Sequence, residues 1–189
     1  MAEVLLFHHA QGLTPGVSSF ADELRAGGHV VHTPDLYDGN IFDDLDEGVG
    51  YAREVGFGTI LERGQAAAEG LPNELVYLGF SLGAMPAQML AQTRAGANGA
   101  VLFHSAIPPS EFGGDWPVGL PLQIHIMEGD EWADEDLPVA RSLDESVESA
   151  ELFVYPGDQH LFADSSLPAY DADAATLARQ RVLSLLALV

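Results

Sequence analysis

Short apolar runs alternate with longer helical stretches along the whole chain, and this alternation constrains the fold more than any other feature. The runs are continuous in apolar residues and rich in β-branched side chains, which is typical of strands buried on both faces of a sheet. Six runs have this character: Val4–Phe7, Val30–Thr33, Leu75–Gly79, Ala100–Phe103, Leu122–Met127 and Leu152–Tyr155. The pattern predicts one α/β domain over residues 1–189, with a mainly parallel six-stranded sheet covered by helices on both faces.

Helical stretches fill the gaps between these runs. Glycines end the first two stretches, and acidic residues open the last one, as suits the positive end of a helix dipole. The predicted helices are Val17–Ala26, Tyr51–Glu69 and Asp171–Leu188, with weaker patterns at Leu82–Thr93 and Pro138–Val147. The interval from His104 to Pro121 is too short for a large lid domain, so we expect the mouth of any site to be open or covered by a loop.

The charge balance excludes several classes of partner and chemistry. The chain has 7 basic and 29 acidic side chains and a formal net charge of −22, yet 47% of its residues are hydrophobic, as in a folded domain. Nucleic acid and anionic membrane surfaces would be repelled. All the basic residues are arginine and cysteine is absent, which excludes a lysine nucleophile, a phosphate-loop lysine, thiolate catalysis and cysteine-bound metals.

Three segments invite other interpretations. Residues 1–7 lack a basic start and a cleavage site, so they predict a strand rather than a signal peptide, and we expect a cytoplasmic protein. The uncharged stretch Leu75–Thr93 is long enough to span a bilayer, but its glycine, proline, serine and glutamine residues indicate a buried strand that turns into a buried helix. The acidic cluster from Asp43 to Glu47 is interpreted as a solvated loop and helix start, with cation binding left open.

The candidate nucleophile is Ser81. Gly79-Phe80-Ser81-Leu82-Gly83 matches the G-x-S-x-G pattern, in which a serine occupies a strained turn between a strand and a helix. Backbone crowds so closely at such an elbow that a Cβ two residues before or after the serine would clash. The preceding apolar run and the following helical stretch supply the expected context, although an ordinary glycine-rich turn is the alternative.

A serine hydroxyl needs a general base, and the base needs an orienting acid. In this kind of fold the chain order is serine, then acid, then histidine. Asp130 follows the fifth strand and His160 follows the sixth, at the edge of the sheet where ligands bind. We therefore predict the triad Ser81, Asp130 and His160. Alternatives are Glu128, Asp134 and Asp136 for the acid, and His9 and His104 for the base.

An oxyanion hole needs two backbone N–H groups, one from the residue after the nucleophile and one from the loop after the first strand. Leu82 provides the first, and Ala10 is the candidate for the second. Apolar side chains could also form a wall of the pocket, although each is more typical of the core. These side chains are Ile107, Phe112, Trp116 and Trp132.

Several segments together resemble the dienelactone hydrolase family of α/β-hydrolases over nearly the whole chain. They are HHAQGLTPGV, TPDLYDG, GFSLGA, MEGDEW, YPGDQHLFAD and the C-terminal helix. The contexts Pro34-Asp35-Leu36-Tyr37 and His160-Leu-Phe162 occur at matching places and in the same order. The resemblance implies the same triad of Ser81, Asp130 and His160, with the oxyanion held by the N–H groups of Ala10 and Leu82.

Two departures from the family pattern change the expected chemistry. Dienelactone hydrolase proper has a cysteine in a G-x-C-x-G-G elbow, whereas this chain has Ser81 followed by Gly83-Ala84, so the resemblance implies an ordinary serine esterase. The family enzyme also has an arginine four residues after the catalytic histidine and a glutamate in the first-strand loop. Here those positions hold Asp164 and His9, which we expect at the substrate site, and an anionic dienelactone is disfavoured.

The sequence thus predicts a serine hydrolase that cleaves a small, uncharged ester or lactone through an acyl-enzyme. We expect substrate contacts from His9, Trp116, Trp132 and Asp164, and no metal or cofactor. Two alternatives remain. One is a non-catalytic α/β domain that binds a small molecule, and the other is an acyltransferase with the same triad.

Overall fold

A computed structural model describes residues 1–189 and contains a six-stranded sheet in which every neighbouring pair of strands is parallel. The strands are β1 (Glu3–Phe7), β2 (Val30–His32), β3 (Leu75–Phe80), β4 (Gly99–Phe103), β5 (Leu122–Met127) and β6 (Ala150–Tyr155). Their order across the sheet is β2-β1-β3-β4-β5-β6. The predicted parallel six-stranded sheet is confirmed, and residues 1–7 contain β1 as expected.

Six α-helices connect the strands. They are α1 (Pro15–Ala26), α2 (Leu45–Val55), α3 (Phe57–Ala67), α4 (Ala84–Thr93), α5 (Asp136–Ser146) and α6 (Ala172–Leu186). Side-chain N-caps define the first residues of α1 and α6. Thr14 accepts a hydrogen bond from the N–H of Val17, and Asp171 accepts from the N–H groups of Asp173 and Ala174. The first and last helices therefore begin close to the predicted positions.

The single helix predicted over Tyr51–Glu69 is wrong. Gly56, with φ of 92°, ends α2 and starts α3, because this left-handed backbone suits glycine and interrupts the helical ladder. The first of the two helices also begins earlier than predicted. Asp44 caps it by accepting from the N–H of Glu47, so the acidic cluster serves as a helix start.

The sheet separates two hydrophobic clusters, one on each face, as expected for helices on both sides. Along β1, Leu5 and Phe7 belong to the cluster under α2 to α5, whereas Val4 and Leu6 belong to the cluster under α1 and α6. This alternation follows from the period of two in a strand. The expectation that every strand is buried on both faces is wrong at the edges, since only Tyr155 of β6 is buried.

Strand register brings the loops of the site together. Phe7 at the end of β1 lies beside Gly79 of β3, and Met127 of β5 lies beside Tyr155 of β6. Because all strands are parallel, the segments that follow them emerge at one edge of the sheet. The uncharged stretch forms β3, a 3₁₀ turn over Ser81–Gly83, and α4, as expected. None of the six helices combines the length and apolar composition needed to cross a bilayer.

Candidate active site

The turn after β3 is a strained elbow. Ser81 has φ of 50°, in a region that residues other than glycine rarely occupy. A Cβ on Gly79 would lie 2.1 Å from the carbonyl oxygen of Gly83. A Cβ on Gly83 would lie 2.5 Å from the carbonyl oxygen of Phe7 and 2.6 Å from that of His8. Gly83 therefore packs directly on the end of β1 and Gly79 packs on Gly83, so neither position has room for a Cβ.

Gly83→Ala is expected to separate the elbow from the end of β1, because backbone atoms there cannot move aside individually. We expect the free energy of unfolding in urea to fall by about 1–3 kcal/mol and ester turnover to fall with it. The matched control is Gly50→Ala, at an exposed position in α2 with no atom near the added Cβ, which should leave stability equal or higher. A Gly83→Ala protein as stable as the wild type would contradict the packing argument.

Three side chains at this edge form a hydrogen-bonded chain. Ser81 Oγ lies 2.7 Å from His160 Nε2, and His160 Nδ1 lies 2.7 Å from Asp130 Oδ2. Asp130 Oδ1 accepts a hydrogen bond from the N–H of Trp132 at 3.0 Å, which holds the buried carboxylate at the end of β5. Because the carboxylate accepts from Nδ1, Nε2 of the neutral imidazole is free to accept the serine proton.

The alternative acids lie elsewhere. Glu128 and Asp134 are exposed, and neither hydrogen-bonds to His160. Asp136 accepts hydrogen bonds from Ser105 Oγ at 3.1 Å and from the backbone N–H of Ala106. Burial raises the pKa of the Asp136 carboxyl. The structure thus brings only Asp130 of the four candidates into contact with His160.

The alternative bases are also engaged or isolated. His9 Nε2 lies 2.7 Å from Asp164 Oδ2 and makes no hydrogen bond to Ser81. His104 is buried with φ of 66°, and its Nδ1 has no partner. Burial holds the pKa of His104 well below its usual range, so this ring stays neutral beside His160, whose centroid is 5.4 Å away.

Ala10 lies in a turn closed by a hydrogen bond of 3.0 Å from the N–H of Gly12 to the carbonyl of His9. None of the protein's hydrogen bonds uses the N–H of Ala10. On the other side of this turn, a Cβ on Gly48 of α2 would lie 2.1 Å from the carbonyl oxygen of Ala10. Leu82 directly follows Ser81 in the elbow. Both candidate N–H donors therefore belong to backbone held by close packing.

A cleft of about 580 Å³ opens beside His160. Trp132 lies in its wall, with 46% of its surface exposed and its ring centroid 6.1 Å from that of His160. No arginine lines the cleft. Acidic Asp43, Glu131 and Asp158 also line the cleft, as do apolar residues that the sequence reasoning did not single out: Leu45, Leu167, Pro168 and Ala169.

Trp116 does not line this cleft. It lies at a separate cavity of about 820 Å³ between the β4–β5 connection and α5, and its Nε1–H donates to the carbonyl of Leu120 at 2.8 Å. The ring is buried. The expected contact between Trp116 and substrate is therefore not supported.

Asp164 is also buried, with only 4% of its surface exposed. Its Oδ2 accepts from His9 and from the hydroxyl of Thr14, and its Oδ1 accepts from the N–H and hydroxyl of Ser166. Burial alone would raise the pKa of Asp164, but the hydrogen bonds from His9, Ser166 and Thr14 outweigh it and lower the pKa to about 2. His9 and Asp164, which the sequence placed at the substrate site, are thus buried and hydrogen-bonded to each other.

A parallel sheet with a serine elbow after β3, and with His160 and Asp130 at the same edge, defines the α/β-hydrolase class. The model of the dienelactone hydrolase family matches residues 1–189, and the chain belongs to this family. The resemblance inferred from the motifs is thereby confirmed. Membership of the family supports hydrolase activity.

Solved structures share the fold at low sequence identity. A dienelactone hydrolase-like promiscuous phosphotriesterase from metagenomic libraries is 20% identical with a TM-score of 0.80, over 100% of this chain and 86% of that one. Dienelactone hydrolase from Anabaena variabilis is 20% identical with a TM-score of 0.69, over 100% and 86%. A cold-adapted esterase from an Arctic intertidal metagenomic library is 17% identical with a TM-score of 0.59, over 95% and 83%. No curated protein matches the chain.

Proposed function

We propose that the protein is a serine hydrolase that cleaves a small, uncharged carboxylic ester or lactone through an acyl-enzyme on Ser81. The observation that carries this proposal is the chain of two 2.7 Å contacts from Ser81 through His160 to Asp130. A serine in this geometry has its base within reach, and the base has its orienting acid. A domain that only binds a small molecule would have no need for either contact.

In the proposed first half-reaction, Ser81 Oγ attacks the carbonyl carbon while His160 Nε2 takes the hydroxyl proton. Asp130 stabilises the imidazolium that forms, and the N–H groups of Ala10 and Leu82 hold the oxyanion. The intermediate collapses as the bond between the carbonyl carbon and the alkoxy oxygen breaks. His160 gives its proton to the leaving oxygen, and the acyl group remains on Ser81.

In the second half-reaction, His160 takes a proton from water as the water oxygen attacks the acyl carbon. The bond from that carbon to Ser81 Oγ then breaks, the serine recovers its proton from His160, and the carboxylic acid leaves. A transferase would replace the water by another alcohol or an amine. The half-exposed Trp132 ring and the neighbouring apolar residues provide the surface on which a small acyl or alkoxy group could pack.

The proposal is tested by reacting the purified protein with a fluorophosphonate and mapping the modified peptide by mass spectrometry. We expect the label on Ser81, together with turnover of at least one neutral ester in a panel. Products formed in the presence of added alcohol or amine then distinguish hydrolysis from transfer. A protein that neither takes the label nor turns over any ester would be the non-catalytic binding domain.

Substrate charge provides a second test. Since the cleft is lined by acids and no arginine, a neutral ester should be preferred by about tenfold or more over an equally reactive ester that carries a carboxylate, measured as kcat/KM at low salt. Added salt should reduce this difference in kcat/KM, because it screens the repulsion between the acidic cleft and the carboxylate. The Debye length shrinks from about 30 Å at 0.01 M to about 10 Å at 0.1 M.

Paired variants separate the local charge from the net charge. Glu131→Gln, in the cleft, should narrow the preference, whereas Glu62→Gln, on the exposed face of α3, removes the same charge and should leave it nearly unchanged. If the wild-type protein preferred the carboxylate ester, the assignment of this cleft as the substrate site would be wrong.

A further inference from the structure

Two loops of the candidate active site are joined by a buried bridge. His9 immediately precedes Ala10 in the loop after β1, and Asp164 lies four residues after His160 in the loop after β6. His9 Nε2 and Asp164 Oδ2 are 2.7 Å apart, and the two residues are 0% and 4% exposed. Because both side chains are buried and bonded to each other, neither presents a free surface to a substrate.

The other ring nitrogen of His9 fixes the direction of this contact. Nδ1 accepts a hydrogen bond from the N–H of Gln11 at 3.2 Å, so the ring proton is on Nε2 and is donated to Asp164. The carbonyl of His9 also accepts from the N–H of Gly12. The side chain and the carbonyl of His9 therefore both hold the turn that contains Ala10, whose own N–H is left without a protein acceptor.

Asp164 is anchored just as firmly. Four donor groups contact its carboxylate, two on each oxygen, from His9, Thr14 and Ser166. The backbone N–H of Asp164 donates to the carbonyl of Leu161 at 3.1 Å, which ties the carboxylate to the turn directly after His160. The bridge thus links the peptide that would hold the oxyanion to the backbone that carries the general base.

We propose that His9 and Asp164 are positioning residues, which set the Ala10 N–H relative to His160 and so stabilise the transition state without touching substrate. This inference rests on the proposed hydrolase function. An oxyanion donor acts only when it is aimed at the position that the charged oxygen will occupy. Displacements of about 1 Å in such groups cost about 100-fold in rate, so a buried tether between the two loops has a direct kinetic consequence.

Asp164→Asn tests the bridge with almost no change in shape. Each carboxylate oxygen accepts from one hydroxyl and one N–H, so the NH₂ of an amide must face an N–H, from His9 or Ser166, that cannot accept from it. We expect kcat for a neutral ester to fall by about 10- to 100-fold while KM changes less than about threefold. Ser165→Ala, in the same loop with an exposed side chain, is the control and should leave both unchanged.

A second pair of variants tests the same bridge from the other side and covers the case in which Asp164→Asn fails to fold. Glutamine at position 9 keeps an N–H donor for Asp164, whereas phenylalanine fills the space without one. We therefore expect His9→Gln to retain more of kcat than His9→Phe. In the Asp164→Asn, His9→Phe double variant, the losses should not multiply, because either change alone breaks the same contact.

Inhibitor binding separates positioning from a purely structural role. A boronic acid that forms a tetrahedral adduct on Ser81 should lose affinity in parallel with kcat, while an unreactive amide analogue of the substrate should bind as before. Unchanged kcat in Asp164→Asn, or equal weakening of the two inhibitors, would overturn the positioning role. Full turnover by Ser81→Ala would instead overturn the proposed function, so the two failures are distinguishable.

Discussion

Ser81→Ala is expected to lower ester turnover by roughly 10³-fold or more and to abolish fluorophosphonate labelling. Ser81 Oγ is the only hydroxyl that hydrogen-bonds to His160, so no neighbouring side chain can replace it as the nucleophile. The residual rate would come from the oxyanion donors and from binding. Initial rates on a neutral ester, with the variant at high concentration, measure the loss.

The fold should survive this change nearly intact, because alanine removes one hydroxyl from a partly exposed elbow and leaves both flanking glycines in place. Thermal unfolding and far-UV circular dichroism check that expectation. Ser165→Ala is again the matched control for a serine lost elsewhere. Full activity in Ser81→Ala would end the hydrolase proposal at this site.

Asp130→Asn is expected to produce a loss of comparable size, about 10³- to 10⁴-fold in kcat/KM. Serine proteases lose about 10⁴ in kcat from the corresponding change, because an amide favours the wrong tautomer of the histidine. Here the amide NH₂ would donate to His160 Nδ1, which leaves the ring proton on Nε2. A protonated Nε2 cannot accept the proton of Ser81. The protein should remain folded and keep a binding cleft.

Asp134→Asn is the control for this variant, since Asp134 is an exposed carboxylate a few residues further along the same loop. We expect its kcat/KM to stay within a few-fold of the wild type. A larger loss from Asp134→Asn than from Asp130→Asn would mean that the loop after β5 adopts another arrangement in the working enzyme, with Asp134 as the orienting acid. Rates for both variants on the same neutral ester decide between these outcomes.

Much of this architecture could be predicted from local patterns. Apolar runs of strand length indicated all six strands, and in the four central strands this continuous apolar pattern corresponds to burial on both faces. The parallel arrangement then implied that residues directly after β3, β5 and β6 emerge at one edge, which places Ser81, Asp130 and His160 near one another. The strained elbow could be predicted as well, from the G-x-S-x-G pattern. The structure shows that a Cβ at Gly79 or Gly83 would collide with backbone.

The break between α2 and α3 was not predictable in the same way. A single glycine within a helical pattern is usually tolerated, and nothing local to Gly56 distinguishes a break from a weak point in a continuous helix. Its φ of 92° ends α2, and α3 begins at the next residue. Helix propensity describes a segment in isolation, whereas the break at Gly56 belongs to the folded chain.

The strands, the serine elbow and the order of the candidate triad could be predicted from local sequence, because each depends on spacing within a few residues or on a strand end. The positions of His9, Asp164 and Trp116 could be found only from the folded structure. His9 and Asp164 are 155 positions apart and meet because two loops converge at the sheet edge, while Trp116 turns toward Leu120 and away from the cleft. Contacts between distant loops depend on how whole elements pack, and no local periodicity encodes that packing.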